Sequence, residues 1–417
     1  MKAIADEILQ LTMASTVLVP SFDETFQMLP GRRSRSKRSF HVAKDDPILI
    51  LHSSGSTGLP KPITMTNGSF SVLDSERFLP TVHGRSNRDF SIWDFEGGGK
   101  FFTVFPYFHL SGFLSLVVNP VFTEVSSVVI GPPLAPPNGS LMRDVLKYQD
   151  IKALYIPPSV AEQLLGEPNG TDYFKSLDFI CYTGGPFSPD AGQKLVGVTN
   201  LVPLYGSTEA FQTPQLVPSK EDWAYMEWNP HFKHEMQLAE DGAYELVLFT
   251  DASTEKRSAL NHNLPGVSEW RTRDLFKPHP SKENLWQYYG RRDDIIVFSS
   301  GEKFNPVSRE LMIGSSKLLS GVLVIGQGRL QPSLLLEPKP SNVKDDPTLL
   351  EDIWPIVDRV NALIPVQGQI QRSKVHIVAP NTFIRAGKGT IIRKLTENKL
   401  SKEIGQLYRN EKPQILL

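Results

Sequence analysis

A chain of 417 residues is long enough for two or three folding units at roughly 150 residues each. Lys and Arg number 44 against 45 Asp and Glu, so a net charge of −1 supplies no global field to draw in nucleic acid or an anionic membrane. A single cysteine, Cys181, excludes an intramolecular disulfide, and no run reaches the ~18 apolar residues of a membrane span.

In chain order, the N-terminal MKAIADEILQLTMAS is acidic early and lacks a long apolar stretch, so it reads as a short amphipathic helix rather than a signal peptide. The basic run GRRSRSKR at 31–38 has no aromatic residues between its charges, which suits a solvated loop better than a nucleic-acid patch. Short β-rich apolar runs follow at 48–51, 101–105, 127–130, 153–156, 179–182 and 245–249, with helical stretches at 141–149 and 159–165 among them. Strands alternating with helices predict an α/β protein with largely parallel sheets. Cys181 sits in one of these apolar runs and reads as a small buried hydrophobe rather than a reactive thiol. After Arg291 the pattern changes. A strand at 295–298, a helix from about Pro306, strands at 322–325 and 333–336, a helix at 349–363, a strand at 375–378 and a basic helix at 391–407 read as a separate small α+β unit. The expected division is therefore 1–291 and 292–417. A soluble cytoplasmic protein is the default, with neither nucleic acid nor membrane as partner.

The strongest local pattern follows the first strand: Ser53, Ser54, Gly55, Ser56, Thr57, Gly58, then Leu59, Pro60 and Lys61. Glycines let the backbone turn tightly, and successive N–H groups in such a turn form an anion-binding concavity. The hydroxyls add donors, and Lys61 adds a mobile positive charge. Pro60 and Pro62 flanking the lysine set this apart from a Walker A loop. A solvated Ser/Gly loop is the plainer reading of the same residues.

Taken with the segments that follow it, this loop resembles that of the adenylate-forming (AMP-binding) superfamily, which includes acyl-CoA synthetases, luciferases and peptide-synthetase adenylation domains. Phe105-Pro106-Tyr107-Phe108-His109-Leu110-Ser111-Gly112 resembles the aromatic gate of the acyl pocket, with His109 beside the carboxylate substrate. A core aromatic cluster with a hydrogen-bonded histidine is the alternative there. Tyr182-Thr183-Gly184-Gly185-Pro186 resembles the turn that lies along adenine, and Thr183 and Gly206 would border the acid. Tyr205-Gly206-Ser207-Thr208-Glu209 resembles the most diagnostic family segment: Tyr205 near adenine, Thr208 on the α-phosphate, Glu209 on Mg²⁺. Trp270-Arg271-Thr272-Arg273-Asp274-Leu275 resembles the segment whose aspartate accepts both ribose hydroxyls, although most members carry glycine where Arg273 stands. Gly290-Arg291-Arg292-Asp293 resembles the hinge, with Arg291 on ribose or phosphate and Asp293 as pivot. Arg385-Ala386-Gly387-Lys388-Gly389-Thr390 resembles the loop bearing the adenylation lysine, Lys388, with Lys394 expected inside the next helix.

The resemblance implies an acetyl-CoA synthetase-like α/β fold: a large domain of mixed and parallel sheets flanked by helices, then a small α+β domain. Similarity is greatest to the adenylation domains of fungal adenylate-forming reductases and peptide-synthetase-like enzymes of secondary metabolism. It implies that ATP and Mg²⁺ activate a carboxylic acid as acyl-AMP with release of pyrophosphate. Transfer to CoA, or to the phosphopantetheine of a separate carrier protein, would follow in trans. The phosphate loop stands unusually close to the N-terminus for the family, so a truncated remnant that binds nucleotide or a partner synthetase without turnover is the second expectation. No aspartate occurs at 107–109, where the family often marks α-amino acid substrates, which points to a non-amino acid.

Overall fold

A parallel sheet rich in apolar residues organises the first part of the computed structural model, which describes residues 38–53, 61–88, 90–123, 126–131, 138–239, 242–300, 303–343, 346–364, 368–386 and 389–409. Five parallel strands run in the order Ser126–Val129, Gly99–Thr103, Ala153–Ile156, Phe179–Tyr182, Asn200–Pro203. All four residues of Ala153–Ile156 and of Phe179–Tyr182 are buried, as expected of a parallel sheet covered on both faces. Side chains alternate between two cores. Phe101, Tyr155, Cys181 and Val202 point to one, with Leu51, Met65, Leu73, Leu110 and Phe211. Phe102, Leu154, Ile180 and Leu201 point to the other, beneath helices Gly139–Tyr148, Pro158–Leu165 and Pro189–Val196. Burial pushes the Cys181 thiol up to about 12, so it stays protonated and packs as the sequence predicts.

Beside this parallel sheet stands a larger antiparallel one. Its seven strands run His234–Leu238, Tyr244–Phe249, Glu269–Pro278, Trp286–Arg291, Tyr225–Trp228, Gln215–Leu216 and Asn87–Arg88. Trp228, Leu246, Leu248, Leu260 and Phe276 fill its core together with Tyr205. Sequence periodicity reveals only one of these seven strands, the run at 245–249, because the others are two residues long or mix polar and apolar residues.

From Ile296 onward a further core forms on a three-stranded sheet, Leu319–Ile325, Ser333–Pro338 and Val375–Ile377. Helices Val307–Gly314 and Asp346–Asn361 cover one face. The single helix expected over 391–407 is instead two, Arg393–Lys399 and Ser401–Leu407. The break is at Leu400 (φ −99°, ψ 18°), where a turn out of α geometry buries Leu400 and lets Ile404 and Leu407 reach the core of Val378 and Phe383. No described helix is long and apolar enough to cross a membrane. The N-terminal stretch expected as an amphipathic helix and most of the basic run lie outside the described residues; Arg38, its last member, is exposed.

Candidate active site

Loops leaving the carboxyl ends of a parallel sheet converge on one side, and that side is where such sheets bind ligands. Three of the expected segments leave there: 104–109 after Gly99–Thr103, 183–187 after Phe179–Tyr182, and 204–209 after Asn200–Pro203. The last two strands are neighbours, and their loops stay tied, the Leu204 N–H donating to the Tyr182 carbonyl at 2.8 Å. Thr183 is half-buried, while Gly184 and Gly185 form an exposed turn.

His109 caps the helix that begins at Leu110, its Nδ1 accepting from the Ser111 N–H at 3.3 Å. That bond requires an unprotonated Nδ1. Helix and strand exit pack closely, since a Cβ at Gly112 would lie 1.9 Å from the Pro106 carbonyl oxygen. The helix then carries a π turn at Leu114–Val118, a feature found often beside functional sites. Tyr107 and Phe108 are exposed, edge to face with ring centroids 5.7 Å apart.

Tyr205 is the best-defined member. Its backbone N–H donates to Gln215 Oε1 at 2.9 Å and its carbonyl accepts from Thr213 Oγ1 at 3.2 Å. Trp228 Nε1 donates in turn to Thr213 Oγ1 at 3.1 Å. So fixed, the phenol donates to Asp274 Oδ2 at 2.5 Å. Burial, then the Asp274 charge, raises the phenol far above the ordinary tyrosine range, so it remains a donor. Arg291 Nε lies 3.6 Å from Asp274 Oδ1, and the two residues pair across neighbouring strands. Burial works against the Arg291 charge, but Asp274 and its neighbours outweigh burial and raise its pKa.

Beyond Tyr205 the chain makes a minimal hairpin, Gly206–Ser207 against Phe211–Gln212, with Thr208 and Glu209 half-buried in its turn. A Cβ at Gly206 would stand 2.4 Å from the Phe211 carbonyl oxygen, so the two short strands approach at a distance only glycine allows. Arg273 adopts φ +61°, in the left-handed region that glycine favours. Here an arginine bears that backbone demand and has a partner, Nη1 reaching Asp293 Oδ1 at 3.2 Å. Its N–H also donates to the buried Glu245 at 3.1 Å, which faces Arg271 and Arg292 as well.

Ser53 and Lys61 are the closing pair of the hairpin Pro47–Ser53/Lys61–Thr66. Ser54, Gly55, Ser56, Thr57 and Gly58 lie outside the described residues, as does Lys388. What flanks Lys388 is firmly held. The Ala386 N–H donates to the Thr390 carbonyl at 2.8 Å, and Arg385 pairs with Ile391. Arg385 also binds the buried Glu337 carboxylate. Lys394 lies in helix Arg393–Lys399, as expected. Gln215, Thr213 and Glu245 had no readable pattern in the sequence; each acts through a bond to a backbone group distant in the chain or on another strand.

No group of three or more His, Cys, Asp or Glu that could hold a metal occurs among the described residues. A lone carboxylate such as Glu209 suits a cation that brings its other oxygen ligands on phosphates and waters.

The profile of the AMP-binding enzyme family matches residues 3–226, and that of the AMP-binding enzyme C-terminal domain matches 293–412. The chain belongs to the AMP-binding enzyme family. The chain is 32% identical over 384 residues to a carboxylic acid reductase of Neurospora crassa, covering 89% of the chain and 36% of that protein. It is 31% identical over 424 residues to an adenylate-forming reductase of Serpula lacrymans, covering 94% of the chain and 37% of the relative. The chain thus spans about a third of the length of these relatives. Its fold is that of an anthranilate CoA ligase solved with anthranoyl-AMP, at TM-score 0.64 and 15% identity, covering 92% of this chain and 71% of that one. The adenylation domain of a carboxylate reductase from Mycobacterium chelonae matches at TM-score 0.63 and 15% identity, over 88% of this chain and 61% of that one.

Proposed function

We propose that this AMP-binding enzyme activates a carboxylic acid with ATP, forming acyl-AMP and pyrophosphate. The carrying observation is the Tyr205–Asp274–Arg291 cluster beside loops that leave adjacent parallel strands. A carboxylate oxygen attacks the α-phosphorus, the bond to the bridging oxygen breaks, and pyrophosphate leaves with the electron pair. No proton moves and the protein forms no covalent intermediate, so catalysis is positioning and charge stabilisation.

In this reading Asp274 accepts the ribose hydroxyls and Arg291 reaches ribose or phosphate. Thr183, Gly184, Gly185 and Tyr205 border adenine, and His109, Thr183 and Gly206 border the acid. Ser53, Ser54, Gly55, Ser56, Thr57, Gly58 and Lys61 hold the outer phosphates. Thr208 and Lys388 contact the α-phosphate. Glu209 holds Mg²⁺, which when bound offsets phosphate charge. Residues 1–291 and 292–417 act as separate domains that rotate about Asp293 between half-reactions. The acyl group then passes to a thiol, of CoA or of a separate carrier. The lack of aspartate at 107–109 favours a non-amino acid.

Acid-dependent ATP–pyrophosphate exchange across a panel of aryl, fatty and amino acids tests this. The expected result is exchange with at least one non-amino acid, reduced by about 100-fold or more in Lys388→Ala, the scale of losing one preorganised charge contact to the transition state. Exchange with no acid would favour a nucleotide-binding remnant. Full activity in Lys388→Ala would remove the lysine from the mechanism.

A further inference from the structure

The segment 259–264 carries an amide for which the site as described so far has no use. Asn263 is buried at 6% exposure. Its Oδ1 accepts from Ser69 Oγ at 2.7 Å, and its Nδ2 donates to the Glu209 carbonyl at 2.8 Å. Ser69 belongs to the phosphate-loop hairpin's own continuation: it forms a capping box with Thr66, the last residue of the strand that begins at Lys61. One side chain therefore joins the strand leaving the phosphate loop to the turn bearing Glu209.

That turn needs an outside tie. Its hairpin has only two residues per strand, and a two-stranded hairpin is at best marginal by itself. Phe211 adds a strained φ of +60°. Within the hairpin, Ser207 Oγ accepts from the Ala210 N–H at 3.1 Å; Asn263 supplies a bond to Glu209 itself. Nearby Ala259 and Leu260 are wholly buried, so the amide has a rigid base. We propose that Asn263 is a positioning residue that sets the Glu209 turn against the phosphate-loop hairpin, so that metal and phosphates are bound at matched places. This rests on the adenylation reading for the roles of Glu209 and Lys61.

Asn263→Asp keeps the shape and the acceptor for Ser69 but sets a second acceptor against the Glu209 carbonyl. Calorimetry on the full chain would compare ATP binding with Mg²⁺ and with EDTA. The expected result is a Kd for Mg·ATP raised by about tenfold, the scale of a buried hydrogen bond replaced by opposed acceptors. Metal-free ATP should change less than about twofold, because that variant leaves the ribose contacts alone. In exchange assays kcat should fall while KM for the acid holds. Ser69→Ala, which removes the other bond together with the capping bond from the Thr66 N–H, should show the same metal-dependent split on a smaller scale. Equal losses with and without metal, or no loss in either variant, would overturn the proposal. Because calorimetry needs no turnover, wild-type chain that binds Mg·ATP yet exchanges no pyrophosphate would remove the adenylation reading, while Asn263 would still be judged by the two affinities.

Discussion

Replacing Glu310 with alanine is expected to destabilise the chain by about 3 kcal/mol, the lower end of the range for breaking a buried ion pair. Both Glu310 oxygens accept from Arg393 Nη2, at 2.8 and 2.9 Å, and the Val324 N–H donates to Oε1 at 2.6 Å. Arg393 Nη1 donates to the Val324 carbonyl, closing the ring. Each side chain keeps 16% exposure, and Asp294 remains 3.7 Å from Arg393 Nε after the change. Those two facts place the cost at the low end rather than near the upper limit. Denaturant melts read the loss, with Glu310→Gln retaining an acceptor and losing less. The functional consequence follows from position. Arg393 anchors the chain just after the Lys388 loop, so pyrophosphate exchange should weaken in Glu310→Ala even where the protein remains folded. A change below about 1 kcal/mol would mean that the pair is effectively solvated, as surface pairs are.

Asp274→Asn carries the second large effect, on binding rather than stability. The asparagine oxygen can still accept from Tyr205, so the local fold should hold. What disappears is the negative charge that Tyr205 and Arg291 arrange. Hydrogen bonds to charged groups contribute about 1.5–3 kcal/mol, so the Kd for ATP should rise by roughly 10- to 150-fold. Binding of pyrophosphate alone should not change, because the proposed outer-phosphate contacts belong to a different loop. Calorimetric titration separates the two, and an ATP affinity within twofold of wild type would place the ribose elsewhere.

How much of this the sequence reveals depends on the reach of each interaction. Ala153–Ile156 and Phe179–Tyr182 are legible because burial on both faces demands unbroken apolar runs, and such runs stand out without a structure. The seven-stranded antiparallel sheet is nearly invisible, since its half-exposed strands mix polar and apolar residues. Within the proposed site, Tyr205, Glu209 and Asp274 stand out as parts of short strings. Asn263 is not: a lone amide gains meaning only from Ser69, 194 positions away. Arg393 is not legible either, because its partner Glu310 lies 83 residues distant. Arg273 is legible as a departure from glycine but not as an explanation; its left-handed backbone and its bond to Asp293 supply that. Leu400 breaks a helix that local propensity would continue, because burying its side chain outweighs a turn's worth of regular geometry.

A crystal structure of the chain soaked with AMP tests directly whether one nucleotide lies across the ends of the parallel strands. The prediction is a ribose hydrogen-bonded to Asp274, a base along Thr183–Gly185 and a phosphate near Thr208. AMP bound away from these loops, with Asp274 still occupied only by Tyr205 and Arg291, would contradict it.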